Sequence, residues 1–163
     1  MNLDNLRDVF HEQLKDMYSA EKQLTEAMPD LIQASSSSKL KKAFESHLEE
    51  TKHHMETVRE ILDKMDVNPG STKCDAMEGL VKEARAMAKK DGDKDARDAG
   101  IICAAQKAEH YEIATYGSLR AWARILGETD IANTLNELLD QEYEADDKLS
   151  KIAEGWLNEK AMS

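Results

Sequence analysis

The sequence predicts an all-α protein, a four-helix bundle with one long crossover, and three observations carry that expectation. Prolines number only two and aromatic residues make up 5 % of the 163 residues, while Ala, Leu, Glu and Lys abound; such straight side chains lose little rotamer freedom in a helix. Along four long segments, apolar residues recur alternately three and four apart, the rhythm of one helix face at about 3.6 residues per turn. Breakers divide those segments into two pairs, with a short turn inside each pair and a long connection between them. With 40 % hydrophobic residues, the chain is long enough for one domain with its own core, expected to cover residues 1–163.

The first helix is expected over residues 3–34, with Pro29 bending its last turns because proline removes a backbone donor. Ser35 to Ser38 form the turn, and Ser38 is placed to cap the second helix, residues 39–66. Val67-Asn68-Pro69-Gly70 ends it. Residues 74–90 carry Met77, Leu80, Val81, Ala84 and Met87 at helical spacing, a short fifth helix inside the crossover. The charged run from Lys89 to Lys94, with Gly92, reads as a solvated turn before a third bundle helix over residues 95–126. Gly127 stands where a left-handed C-terminal cap belongs, and Thr129 or Asp130 is expected to cap the last helix, which reaches about residue 157. Two helices, a long connection and two more helices is the order of a ferritin-like bundle.

Lys and Arg total 22 against 33 Asp and Glu, and the net charge of −11 disfavours nucleic acid and anionic membrane surfaces, leaving cations as the expected ligands. No apolar stretch approaches the roughly 20 residues of a membrane span, and MNLDNLRDVF lacks a basic region followed by an apolar one, so a cytoplasmic location is expected. Cys74 and Cys103 are too few for a disulfide framework and read as buried or idle thiols.

The apolar rhythm is interrupted at mid-length in every bundle helix. Helix one runs Leu3, Leu6, Phe10, Leu14, Met17, then Glu21, then Leu24, Met28 and Leu31. Helix three runs Ile102, Ala105, then Glu109 and Glu112, then Tyr116, Leu119, Ala123 and Leu126. Helix four runs Ile131, Leu135, Leu138, then Glu142 and Asp146, then Leu149, Ala153 and Trp156. Helix two runs Leu40, Phe44, His47, Thr51, His54, Val58, Ile61 and Met65, with Glu50 on its flank. Carboxylates withdrawn from water without a partner cost several kcal/mol, on the order of the stability of a domain, and no Lys or Arg occupies these stripes nearby. Divalent metal neutralises such a cluster, and carboxylates with imidazole and no cysteine cluster suit Fe or Mn rather than a thiolate zinc or iron–sulfur site.

Glu50 follows Glu21 by 29 residues and Glu142 follows Glu112 by 30, so helices one and two repeat as three and four. His54 then corresponds to Asp146 and Tyr18 to Glu109. Two ions related by a pseudo-twofold follow, with Glu50 and Glu142 as bridges, Glu21 and Glu112 as terminal ligands, and His54, Glu109 and Asp146 completing the shells. His47 faces inward one turn before Glu50, either hydrogen-bonding the cluster or packing as a satisfied core histidine. His110 lies about 100° around the helix from Glu109 and reads either as an outer-face residue or as one that supports a ligand from behind. Tyr18 and Tyr116 either donate to the carboxylates or pack with the hydroxyl reaching a partner. The eight methionines are core fillers, and Trp122 and Trp156 mark either an oligomer contact or internal packing.

The segments YSAEKQLT (18–25), HLEET (47–51), CDAMEGL (74–80), AAQKAEHYEIATYGSL (104–119) and the acidic stretch from Glu142 to Leu149 resemble the YciF-type bacterial stress-protein family, in order and over nearly the whole chain. The resemblance implies a ferritin-like fold with a two-metal centre in proteins associated with general stress. It supports Glu21, Glu50, Glu109, Glu112, Glu142 and Asp146 as ligands. The ferritin-like Glu-x-x-His pattern would select His53 after Glu50, whereas the stripe turns His54 inward, and His54 is preferred. Asp146 stands where a second histidine is expected, which makes the shell oxygen-rich and puts oxygen activation in question more than metal binding. The expectation is a stress-associated protein with two metal ions, Fe ahead of Mn, that oxidises Fe(II) or handles peroxide or oxygen. The alternative is a structural or interaction protein whose centre only stabilises the bundle. A homodimer is expected from the prevalence of twofold assemblies.

Overall fold

The computed structural model describes residues 3–162. Its elements are α1 (Leu6–Ala34), α2 (Ser38–Lys64), α3 (Asp75–Ala88), α4 (Lys94–Ile125) and α5 (Thr129–Ile152), followed by one π-helical turn (Ala153–Leu157) and a last short turn, α6 (Asn158–Lys160). Helices α1 and α2 form one close pair, α4 and α5 the other, and α3 lies in the crossover against α4 and α1. The expected all-α bundle with one long crossover and a short fifth helix is the observed architecture.

Caps explain where the elements begin. Asn5 Oδ1 accepts from the backbone N–H of Arg7 (2.9 Å) and Asp8 (3.2 Å), and Asp8 Oδ2 accepts in return from Asn5 N (3.2 Å), a capping box. The helix therefore starts at Leu6, and Leu3, expected on the core stripe, lies outside it at 56 % exposure. Ser37, not Ser38, caps α2 through its Oγ, which accepts from Leu40 N at 3.3 Å. Gly127 (φ +78°) ends α4 as expected. Its N–H reaches back to Arg124 O (3.2 Å), and that of Glu128 to Ala123 O (2.9 Å), a Schellman closure. The closure leaves no room for Thr129 or Asp130 to act as the cap of α5: both fall inside its first turn, and Glu128 holds the cap position without a side-chain bond.

Asp98 on α4 is fully buried and belongs to no expected site. Its Oδ1 accepts from Ser36 N (2.9 Å) and its Oδ2 from Ser37 N (2.7 Å), so the third bundle helix holds the α1–α2 turn in place. Cys74 is buried and Cys103 exposed, both as free thiols; Cys74 Sγ contacts Tyr111 Oη at 3.1 Å.

The apolar core forms two clusters. One contains Phe10, Leu14, Met17, Val58, Leu119 and Leu135, and the other Met28, Leu31, Leu40, Phe44, Ile102 and Leu149. On α2 and α5 the residues in sequence between the clusters include His47 to His54 and Glu142, while Glu21 on α1 and Glu109 and Glu112 on α4 are flanked by Ala20, Leu24, Ala108 and Tyr116 of the first cluster. Apolar side chains thus flank a buried polar layer at mid-bundle.

Candidate metal centre

Each interrupted stripe delivers at least one polar residue to this layer, because the helix that buries the apolar slots buries a slot between them too. Glu21, His54, Glu112 and Glu142 are 0 % exposed, and His47 and Glu109 are buried beside them. Two groups of side chains each bring their ligand atoms within 4.8 Å of one another: His47, Glu109, Glu112 and Glu142, and Glu21, His54 and Glu142. Glu142 belongs to both.

Within the first group, His47 Nε2 is 2.7 Å from Glu109 Oε1 and 3.9 Å from Glu142 Oε2. Within the second, His54 Nδ1 is 2.7 Å from Glu142 Oε1 and 3.7 Å from Glu21 Oε1. The fully buried Tyr116 hydroxyl donates to Glu21 Oε1, and its ring stands edge-on to the His54 imidazole, 6.0 Å between centroids.

Four carboxylates face two imidazoles across these groups, and the balance does not close. Burial, with repulsion from Glu142, Glu21 and Glu109, pushes the Glu112 carboxyl well above the usual range. Burial and the charge of Glu109 push Glu142 up likewise, against the His54 hydrogen bond. Burial opposes charge on His54, yet the hydrogen bonds and attraction of Glu142 and Glu21 outweigh it and raise its pKa to about 10. His47 is also raised: burial opposes its charge, and Glu109 and Glu50 override it. Glu109, although buried, is held low by His47. In the metal-free chain the cluster therefore retains protons that a cation would displace.

Even so, polar atoms stay unmatched. With the acids ionised, both carboxylate oxygens of Glu112, Oε2 of Glu21, Glu109 and Glu142, and Oγ1 of Thr51 are buried without a hydrogen-bond partner; only retained protons let Glu112 bond to Glu21 and Glu109 to Glu142. Orphaned buried oxygens converging on one layer, with imidazole and no thiolate, fit a hard or borderline divalent cation.

Of the residues expected from sequence, the structure brings together Glu21, His54, Glu109, Glu112 and Glu142. It does not bring Glu50 and Asp146 into either group. On α2 the inward face runs His47, Thr51, His54, which turns Glu50 to a 31 % exposed flank, where Oε2 meets His47 Nδ1 at 3.3 Å. On α5 the buried slots run Leu138, Glu142, Ala145 and Leu149, so Ala145 takes the place beside Glu142. Asp146 leans towards α4 instead, accepting from Gln106 Nε2 at 3.2 Å and lying 3.2 Å from His110 Nε2. His47 enters the centre itself; its place on the stripe was the signal. Gln141, whose Oε1 lies 2.7 Å from His54 Nε2, gave no signal in the apolar rhythm.

Residues 5–162 match the family described as Domain of unknown function (DUF892). The chain belongs to the DUF892 family. It is 43 % identical over 162 residues to Protein YciF of Escherichia coli K12, covering 99 % of this chain and 98 % of that one. The crystal structure of the E. coli stress protein YciF superimposes with a TM-score of 0.91 at 42 % identity, over 95 % of this chain and 98 % of that chain. A Rhodopseudomonas palustris protein, YcfI, matches with a TM-score of 0.87 at 39 % identity, over 91 % and 95 % of the two chains. A Xanthomonas campestris protein at 23 % identity, TM-score 0.78, covering 98 % of this chain and all of the other, shares the fold. Among the described residues of this DUF892 member, no helix is long and apolar enough to cross a membrane.

Proposed function

We propose that the polar layer is a two-ion non-haem metal centre, with iron or manganese as the metal, in a stress-associated protein that oxidises Fe(II) or handles peroxide or oxygen. The single observation that carries the reading is Glu112, fully buried among other carboxylates with no neighbouring group donating to either of its oxygens. Metal-free, such a group stays neutral by holding a proton; a cation that displaces the proton would give its oxygens and those of the three neighbouring carboxylates a partner. The stress association rests on the likeness to YciF.

In this reading His47, Glu109 and Glu112 would hold one ion and Glu21 and His54 the other, with Glu142, common to both groups, available to either. When bound, such a pair supplies one-electron redox chemistry. The chain's own part is to place donors and exclude water. The Tyr116 hydroxyl fixes Glu21 Oε1, Glu109 and Glu112 on successive turns of α4 present their oxygens together, and the flanking apolar side chains bury the centre. Glu50, half-exposed and bonded to His47, connects that interior to solvent.

Mixing the metal-free protein with Fe(II) in air tests the proposal. Saturable uptake near two ions per chain, with oxidation faster than in buffer, is expected. Uptake without faster oxidation would leave a centre that only stabilises the bundle; no uptake would reject the centre.

A further inference from the structure

The two histidines of the polar layer differ most on their outward sides. His47 turns Nε2 to the interior and Nδ1 outward, onto Glu50 Oε2 at 3.3 Å. His54 does the reverse: Nδ1 faces Glu142, and Nε2 meets the amide oxygen of Gln141 at 2.7 Å. A ligating imidazole is neutral, with its lone pair on the metal-facing nitrogen and its one proton on the other, so the acceptor of that proton fixes the tautomer and tunes the donor. Behind His47 that acceptor is a carboxylate; behind His54 it is an uncharged amide.

The inward partners differ in the same sense. His47 is grouped with three carboxylates, Glu109, Glu112 and Glu142, whereas His54 is grouped with two, Glu21 and Glu142. One of those two already accepts a hydrogen bond, because the Tyr116 hydroxyl occupies Glu21 Oε1. More carboxyl groups, more oxygens to which nothing donates and a carboxylate-backed imidazole all favour a cation at the His47 position.

Resting on the two-ion reading above, we infer that the positions load in order, a divalent cation entering the His47 position first and the His54 position second, with Glu50 and Gln141 as the positioning residues that set the gap. Glu50 is suited to the part because it is 31 % exposed, 3.9 Å from Lys148 Nζ, and holds the outer nitrogen of a buried histidine. It acts through His47 without entering either group.

Calorimetric titration of the metal-free full chain with Co(II), followed also by visible absorption, tests the order. Two events are expected, separated by at least about tenfold in affinity, the carboxylate support behind a ligating histidine being worth about 10–100-fold. Glu50→Gln weakens the tighter event by about tenfold and keeps the stoichiometry. Glu50→Ala does the same if the glutamine rebuilds the bond. Gln141→Glu tightens the weaker event and narrows the gap, and Glu21→Gln abolishes the weaker event alone, assigning it to the His54 position. Two events of equal affinity, or Glu50 variants that leave the tighter event unchanged, would overturn the order while leaving the two-ion reading intact. No Co(II) uptake by the unsubstituted chain would overturn both.

Discussion

Asp98 and Glu112 lie on the same helix, both fully buried carboxylates, and their surroundings are opposite. Asp98 sits under the α1–α2 turn with backbone N–H groups of Ser36 and Ser37 donating to both of its oxygens. Glu112 sits at mid-bundle among other carboxylates, and no neighbouring group donates to either of its oxygens. Burial of an acid therefore marks nothing by itself. A carboxylate that the fold has satisfied is structural; one that the fold has left open is a place for something else.

The largest effect that would break or sharpen this contrast is metal-induced stabilisation. If the mid-bundle layer takes two divalent ions, saturating Mn(II) or Fe(II) at about 100 times Kd contributes about 2.7 kcal/mol per position, raising Tm by roughly 10–20 °C, and a chelator reverses the gain. A melt unmoved by metal would make the two regions equivalent. Next in size, Asp98→Ala should cost about 3 kcal/mol in urea unfolding, since charge-assisted bonds to backbone N–H groups are lost, and should leave the metal-induced gain intact. Glu112→Gln should act in the opposite direction, leaving the metal-free chain unchanged or about 1–2 kcal/mol more stable by replacing an acid that folding forces to hold a proton, while cutting the metal-induced gain.

The smallest effect is on pH. His54 has a folded pKa raised to about 10, so its contribution is complete below its unfolded value near 6.5 and is lost as pH rises towards 10. Glu112 and Glu142, with raised pKa values, favour the folded state in their protonated forms and work in the same direction, their share being lost as pH rises above the ordinary carboxylate value. Stability of the chelator-treated chain should therefore fall between pH 6.5 and 9.5, measured by urea midpoints. With metal present the slope over the lower part of that range should flatten or reverse, because ligation releases those protons.

Much of this was legible in the sequence because a helix turns its slots with fixed rhythm. Glu21, Glu109, Glu112, Glu142 and His54 could be placed in one layer without coordinates, each filling a gap in an otherwise apolar stripe. The flanks were harder to read. Glu50 matched an apparent repeat with Glu142 and carried the expected chemistry, yet the face that α2 buries passes through His47, Thr51 and His54. Asp146 follows Glu142 by one turn, but a spacing of three suits the α5 face better there, and Ala145 fills the slot. Asp98 and Gln141 left no trace because their partners, the α1–α2 turn and the outer nitrogen of His54, are set by tertiary contacts that no single helix encodes. Ser37 rather than Ser38 as a cap is a register choice fixed by Asp98, which takes the two N–H groups before it.

Equilibrium dialysis of the metal-free chain against Mn(II), with ions per chain counted by elemental analysis for the unsubstituted protein and for Glu112→Gln, tests the central claim most directly. About two ions on the unsubstituted chain and at most one on the variant are predicted, from the two groups of donors and the one that Glu112 completes. Equal counts for both proteins, or none for either, would contradict it.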